Sequence, residues 1–130
     1  MISITSKSPY AVAALAELGR AAGAEPVPIG ELARRREMPV QFLEQLFAVL
    51  RRAGVVNSQR GVKGGYRFAR DPSQVSVLEV VELLDGPLGR DSDGVFGDAS
   101  KAARDVLEQT SIADVIEREA RDSGASMYHI

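Results

Sequence analysis

The chain has 130 residues, 45% hydrophobic and 26% charged, which is one domain's worth of sequence with enough apolar material for a packed core. It holds no Cys and one His, His129, next to the last residue. That excludes a disulfide scaffold, a thiolate zinc site, a cysteine-ligated iron–sulfur cluster and a cysteine nucleophile, and it leaves a Ser/His/Asp triad without a base. The formal net charge of −2 conceals an asymmetry. Residues 1–70 carry 11 Lys/Arg against 5 Asp/Glu, and residues 71–130 carry 5 against 13. A basic half of this kind is the footprint of a polyanion binder, and the acidic half would be repelled by the same partner; the plainer alternative is charge clustered by chance on solvated faces. No signal-type apolar stretch follows the amino terminus, and the later Ala-rich run is broken by Glu17 and Arg20, so a cytoplasmic protein without membrane attachment is expected.

In chain order, Ser8-Pro9 reads as an N-cap with Pro at the first helical position, and Tyr10, Ala14, Leu15 and Leu18 recur at helical spacing to about Ala22. A short second helix carries Ile29, Leu32 and Ala33 and ends on Arg34-Arg35-Arg36. After a tight turn, Met38-Pro39 opens a third helix to about Ala53, with Leu43, Leu46, Phe47 and Leu50 on its apolar stripe and Gly54 beyond its end. The period then falls to two. Val56 and Ser58 lead to Gly61-Val62-Lys63-Gly64-Gly65, and Tyr66 and Phe68 return, which predicts a β-hairpin with a basic tip. Ser76-Val77-Leu78-Glu79 is a capping box opening a fourth helix to Asp85. Residues 86–97 read as a Gly/Asp-rich linker, Asp98 to Gln109 as a fifth helix, and Thr110-Ser111 as the cap of a short final helix through Ile112, Val115 and Ile116. Residues 122–130 read as a mobile tail.

Three helices followed by a hairpin is the element order of a winged helix-turn-helix, so the expected fold is mainly α with a small β-hairpin, residues 1–85, plus a helical appendage at 98–121. The third helix buries one stripe and offers Gln41, Glu44, Gln45 and Arg52 on the opposite face; Gln and Glu side chains can bond adenine and cytosine edges. In the hairpin, Ser58, Arg60, Lys63 and Arg67 accompany Gly61, Gly64 and Gly65, a pairing of long cations with close-approaching backbone that suits phosphates and the minor groove. Nine Lys/Arg less Glu37 and Glu44 give +7 between residues 34 and 70. The Gly run lacks Walker and dinucleotide spacing. Tyr66 and Phe68 either stack on bases or, as period two favours, pack the hairpin on the helices. Asp91/Asp93 and Glu117/Glu119 read as solvated surface rather than acid/base pairs. The small-residue stripe Ala99, Ala102, Ala103 and Val106 packs within the chain or against a second subunit.

Ser6-Lys7-x-x-Tyr10-Ala11-Val12, Phe42-Leu43-Glu44-Gln45-Leu46, Leu50-Arg51-x-Ala53-Gly54-Val55-Val56 and Ser58-x-Arg60-Gly61-x-x-Gly64-Gly65-Tyr66 together resemble the Rrf2 family of bacterial winged-helix regulators, from about Ile2 to Leu84 and weakly to Ile116. The resemblance implies a homodimer on an imperfect DNA palindrome. It places Gln41, Glu44 and Gln45 on the recognition helix and Arg60 in the minor groove, and it gives the helix at Asp98 to Gln109 the role of crossing its twin. Many members hold an iron–sulfur cluster through three Cys in the loop that matches Gly86 to Gly97, with a carboxylate or His near the amino terminus as a further ligand in some. This chain has no Cys, a short loop, and Ser8 in that amino-terminal region; Pro39 stands where small residues are common.

The expected function is therefore a sequence-specific transcriptional regulator of repressor type, a homodimer on double-stranded DNA with no metal or cofactor, answering to a metabolite or protein effector. The alternative is a winged-helix interaction module without its own DNA target. An enzyme comes last, for want of a nucleophile, base and metal constellation.

Overall fold

The computed structural model of the protein describes residues 4–21, 25–89 and 93–127. Along them run α1 (Lys7–Arg20), α2 (Ile29–Arg35), α3 (Val40–Arg52), β1 (Val56–Gln59), β2 (Gly65–Phe68), α4 (Val77–Asp85), α5 (Gly94–Gln109) and α6 (Ile112–Met127), with a 3-10 turn at Pro72–Gln74. The mainly helical winged helix-turn-helix is the observed architecture. Its core follows from two stripes at i, i+3, i+4, i+7: Ala11, Ala14, Leu15 and Leu18 of α1, and Leu43, Leu46, Phe47 and Leu50 of α3. They close on Leu32, Val55, Val56, Val80, Val81 and Ile112 in one buried cluster. Each fully buried Leu or Phe there contributes about 1.5–3 kcal/mol of transfer free energy.

The turn between α2 and α3 is set by Glu37, whose φ of +54° takes the left-handed role that Gly usually fills after a helix. Met38 N donates to Ala33 O at 2.9 Å, and Pro39, extended, opens α3. Gly54, at φ +78°, ends α3 as its spacing predicts. The hairpin pairs Val56 with Phe68, Ser58 with Tyr66 and Gln59 with Gly65. Val27 adds a further rung: its N donates to Tyr66 O and its O accepts from Tyr66 N, each at 2.8 Å. Gly65 lies so close beneath that rung that a Cβ there would overlap the Val27 carbonyl.

Several boundaries differ from the sequence reading. Ser8 is not the N-cap of the first helix: α1 starts at Lys7, and Ser8, buried in its first turn, donates to Asp85 instead. The helix ends at Arg20; residues 22–24, including the expected stop Gly23, lie outside the described residues. At α4, Ser76 accepts from Glu79 N at 3.0 Å, but the Glu79 carboxylate pairs with Arg70 rather than returning to the cap. α5 begins at Gly94, not Asp98, so Val95, Phe96 and Gly97 belong to the helix and not to the linker. Gly94 enters it at φ +63°, and Gly97 N donates to Asp93 O at 3.2 Å. Residues 90–92 of the expected linker lie outside the described residues. The final helix is long rather than short: α6 reaches Met127, so residues 122–127 are helix rather than tail, and 128–130 lie outside the described residues. It starts on a reciprocal cap, Ser111 N to Asp114 Oδ2 at 2.9 Å and Asp114 N to Ser111 Oγ at 3.0 Å. Its apolar side joins the core through Ile112, Val115 and Ile116, with Ile116 against Gly19 of α1, and the helix continues through Gly124.

Candidate nucleic-acid interface

Because Leu43, Leu46, Phe47 and Leu50 all turn inward, the remaining face of α3 is set by geometry: Val40, Gln41, Glu44, Gln45, Arg51 and Arg52 are exposed. No side chain caps its amino end and no acidic residue lies in its first turn. Gln41, Glu44 and Gln45 thus stand free on the first two turns, where a recognition helix meets base edges, with Arg52 on the last.

The wing is built by backbone constraint. Gly61 at φ +114° and the bond from Gly64 N to Gly61 O at 3.0 Å fold Gly61-Val62-Lys63-Gly64 into a tight turn. A Cβ at Gly64 would overlap Gln59 O, so only Gly fits. Arg60 leads into the turn and Arg67 leaves it, donating to Gln59 Oε1 at 3.1 Å. Arg51 Nη1 donates to Ser58 Oγ at 3.3 Å. That bond joins the carboxyl end of α3 to β1. Ser58 is therefore a tie between helix and wing, and Arg51, absent from the residues singled out in the sequence, is the helix side of that tie.

Each arginine of the run Arg34-Arg35-Arg36 has an acidic partner within the chain, with Arg34 still 70% exposed and Arg36 mostly buried. Arg34 and Arg35 hold Glu31, Arg35 also reaches Glu17, and Arg36 lies between Glu17 and Glu119. The hydrogen bonds from Arg34 and Arg35 hold the Glu31 carboxyl below its ordinary value. Arg70 is held by Glu79. Of the cations counted between residues 34 and 70, Arg51, Arg52, Arg60 and Arg67 have no acidic partner among the described residues, and they stand on the end of α3 and in the wing. Lys63 Nζ stands 3.9 Å from Glu25, but both are largely in water and the pair is weak. Within residues 34–70 the unpaired positive charge is thus narrower than the sequence count, and it falls on the end of α3 and the wing.

The aromatic alternative is settled by contact. Tyr66 meets Phe47 edge-on at 5.1 Å between ring centroids, and both Tyr66 and Phe68 pack against the core rather than standing free to stack on bases. Of the carboxylates, Glu117 faces Arg121 and Glu119 faces Arg36; Asp91 lies outside the described residues. Among the described residues no group of three or more His, Cys, Asp or Glu is placed to hold a metal ion, and no helix is long and apolar enough to cross a membrane. An iron–sulfur cluster does not fit this donor set, which lacks thiolates throughout.

On α5, Ala99 and Ala102 are exposed, Ala103 is half-buried and Val106 is 63% exposed; Val95 and Phe96, which the linker reading hid, are 72% and 67% exposed. Val95, Ala99, Ala102 and Val106 follow one another at spacings of four, three and four, the pattern of a helix seam. The opposite face is anchored: Ser100 is buried against Gly89, and α5 packs on α4.

The Rrf2 family model, described as an iron-dependent transcriptional regulator, matches residues 4–93. The HTH-type transcriptional regulator IscR of Cereibacter sphaeroides is 31% identical over 140 residues, spanning 92% of this chain and 90% of its own. Among solved structures, CymR of B. subtilis, described as its global cysteine regulator, superposes with a TM-score of 0.83 at 27% identity, covering 91% of this chain and 98% of that one. IscR of T. potens superposes with a TM-score of 0.79 at 34% identity, covering 91% and 88%.

Proposed function

The chain belongs to the Rrf2 family of DNA-binding winged-helix transcriptional regulators, and from that premise we propose that it acts as a homodimer on an imperfectly palindromic stretch of double-stranded DNA. In this reading α3 enters the major groove with Gln41, Glu44 and Gln45 toward base edges, and the wing carries Arg60 into the adjacent minor groove while Lys63 and Arg67 meet phosphates. The observation that carries the reading is the placement of the cations within residues 34–70: Arg51, Arg52, Arg60 and Arg67, which have no acidic partner among the described residues, and the weakly paired Lys63 stand on the end of α3 and the wing, which the Arg51–Ser58 bond joins. A second copy covers the exposed seam Val95, Ala99, Ala102 and Val106. With no thiolate to hold a cluster, regulation passes through a metabolite or protein contact that changes how the two winged helices are oriented in the dimer.

Selection of bound fragments from the host's genomic DNA, followed by a salt series on the winning sequence, tests this directly. A palindrome whose affinity falls steeply with salt is expected. Failure to enrich any sequence, or a flat salt response, points instead to an interaction module.

A further inference from the structure

α6 does more than close the core. It follows α5 after only Thr110 and Ser111, and that junction is pinned to the start of α4 by Val77 N to Thr110 O and Ile112 N to Val75 O, each 2.8 Å. Next, Ile116 seats on Gly19 of α1, where any Cβ would overlap its Cδ1. One turn further, Glu119 receives the Arg36 guanidinium as a fork, Nη2 to Oε1 at 2.7 Å and Nη1 to Oε2 at 3.1 Å, while Arg36 Nε donates to Glu17 Oε1 at 3.0 Å. One arginine thus ties α1, α2 and α6 together.

Its place in the chain gives the tie a consequence. Arg36 is the C-cap of α2; Glu37 with its left-handed φ comes next, and Pro39 opens α3. We propose that Arg36, Glu17 and Glu119 form a clasp that fixes the recognition helix at one angle to the α5 arm, so that Arg36 and Glu119 are positioning residues for operator spacing although neither touches DNA. This rests on the homodimeric DNA-binding reading given above. The clasp has the chemistry for it. The Arg36, Glu17 and Glu119 side chains are only 20%, 14% and 29% exposed, so the attraction is less screened than in a surface pair, and a two-pronged guanidinium–carboxylate contact is directional where a Lys contact is not. The Arg36 hydrogen bonds hold Glu119 below the usual carboxylate range. A turn of α5 carries α6 with it, and the clasp delivers that motion to the residue before the helix-turn-helix bend.

The test uses the full chain with Glu119→Ala, Glu119→Gln, Arg36→Ala and the double alanine variant. In the DNA-free protein, amide exchange at Glu37, Met38 and the first turn of α3 should accelerate in all four. On DNA, wild type should prefer the selected palindrome over versions whose half-site spacing is changed by one base pair. Each single variant should erode that preference roughly 2- to 30-fold, with the salt slope unchanged and the double alanine variant no worse than the worse single one. An ion network serving stability alone would lower the melting temperature and leave the spacing preference intact, which would overturn the proposal, as would unchanged exchange at the bend. If wild type enriches no DNA, the homodimer reading falls on its own, and the exchange measurement decides the clasp.

Discussion

Ser8 Oγ, buried in the first turn of α1, donates a 2.5 Å hydrogen bond to Asp85 Oδ2 at the end of α4, and Thr5 donates to the other oxygen of the same carboxylate at 2.5 Å. This joins the first helix to the last residue before Gly86 turns the chain toward α5. Burial raises the Asp85 carboxyl, but the bonds from Ser8 and Thr5, aided by the charge of Lys7, outweigh it and leave the group below its ordinary value.

A carboxyl lowered by folding contributes stability that is present above its unfolded value, about 3.9, and lost as pH falls through the folded one. Asp85→Asn should therefore cost about 1–3 kcal/mol at pH 7, and the gap from wild type should narrow as the pH drops below about 4. Urea midpoints measured across that range decide it; a gap independent of pH would mean the charge is not what holds the two helices.

Gly65→Ala tests the wing. Its φ of +152° and the Val27 carbonyl beneath it leave no place for a methyl group. Strain alone should cost about 1–3 kcal/mol, and the Val27–Tyr66 rung should open, visible as lost amide protection at Val27 and Tyr66. Gly61→Ala, which meets nothing within 4 Å, should cost only its backbone strain. Equal losses at the two glycines would contradict the account of the rung.

What the sequence disclosed and what it hid divide along physical lines. Apolar stripes in α1 and α3 and the change to period two at Val56 were legible because each is repeated over several residues. Ser8 was misread because a Ser before Pro looks like a cap, and only the distant Asp85 shows otherwise. The α5 entry was hidden by Gly94 and Gly97, whose local meaning is loop, and the length of α6 by Gly124, since docking on α1 is not a local signal. The Arg34–Arg36 run entered the positive count over residues 34–70 at full value because two of its partners, Glu17 and Glu119, are remote in the chain. The recognition-helix and wing positions, by contrast, followed from one face of one helix and one turn.

Reading and positioning should separate on DNA. Arg60→Ala should weaken binding strongly and relax preference at A/T-rich flanks. Lys63→Ala should weaken all sequences about equally and lower the salt slope by about one. Gln45→Ala should cost about 1–3 kcal/mol at particular base pairs, measured by competition across a substituted operator. Uniform losses from all three would take α3 out of the groove.

For the α5 seam, Val106→Glu is preferable to truncation, because removing α5 and α6 would strip the buried Ile112 from the core. Val106 is 63% exposed in the single chain, so the substitution should leave the fold intact while placing two like charges across a two-fold seam. Sedimentation should show a monomer with native circular dichroism and much weaker operator binding, since one rigid body then no longer engages both half-sites. A variant that stays dimeric would move the interface elsewhere.

The last expectation concerns iron. Clusters need soft ligands, Cys with an occasional His, and this chain offers no Cys and a single His, next to its last residue. Ser8, in the first turn of α1, is already committed to Asp85. Oxygen donors of this kind favour harder ions and would not retain sulfide-bridged iron. Protein made anaerobically with iron and sulfide should therefore be colourless, and its operator affinity should be the same with and without a chelator. Stoichiometric iron and sulfide in the purified protein, together with DNA binding that disappears on chelation, would overturn this account and require ligands other than thiolates.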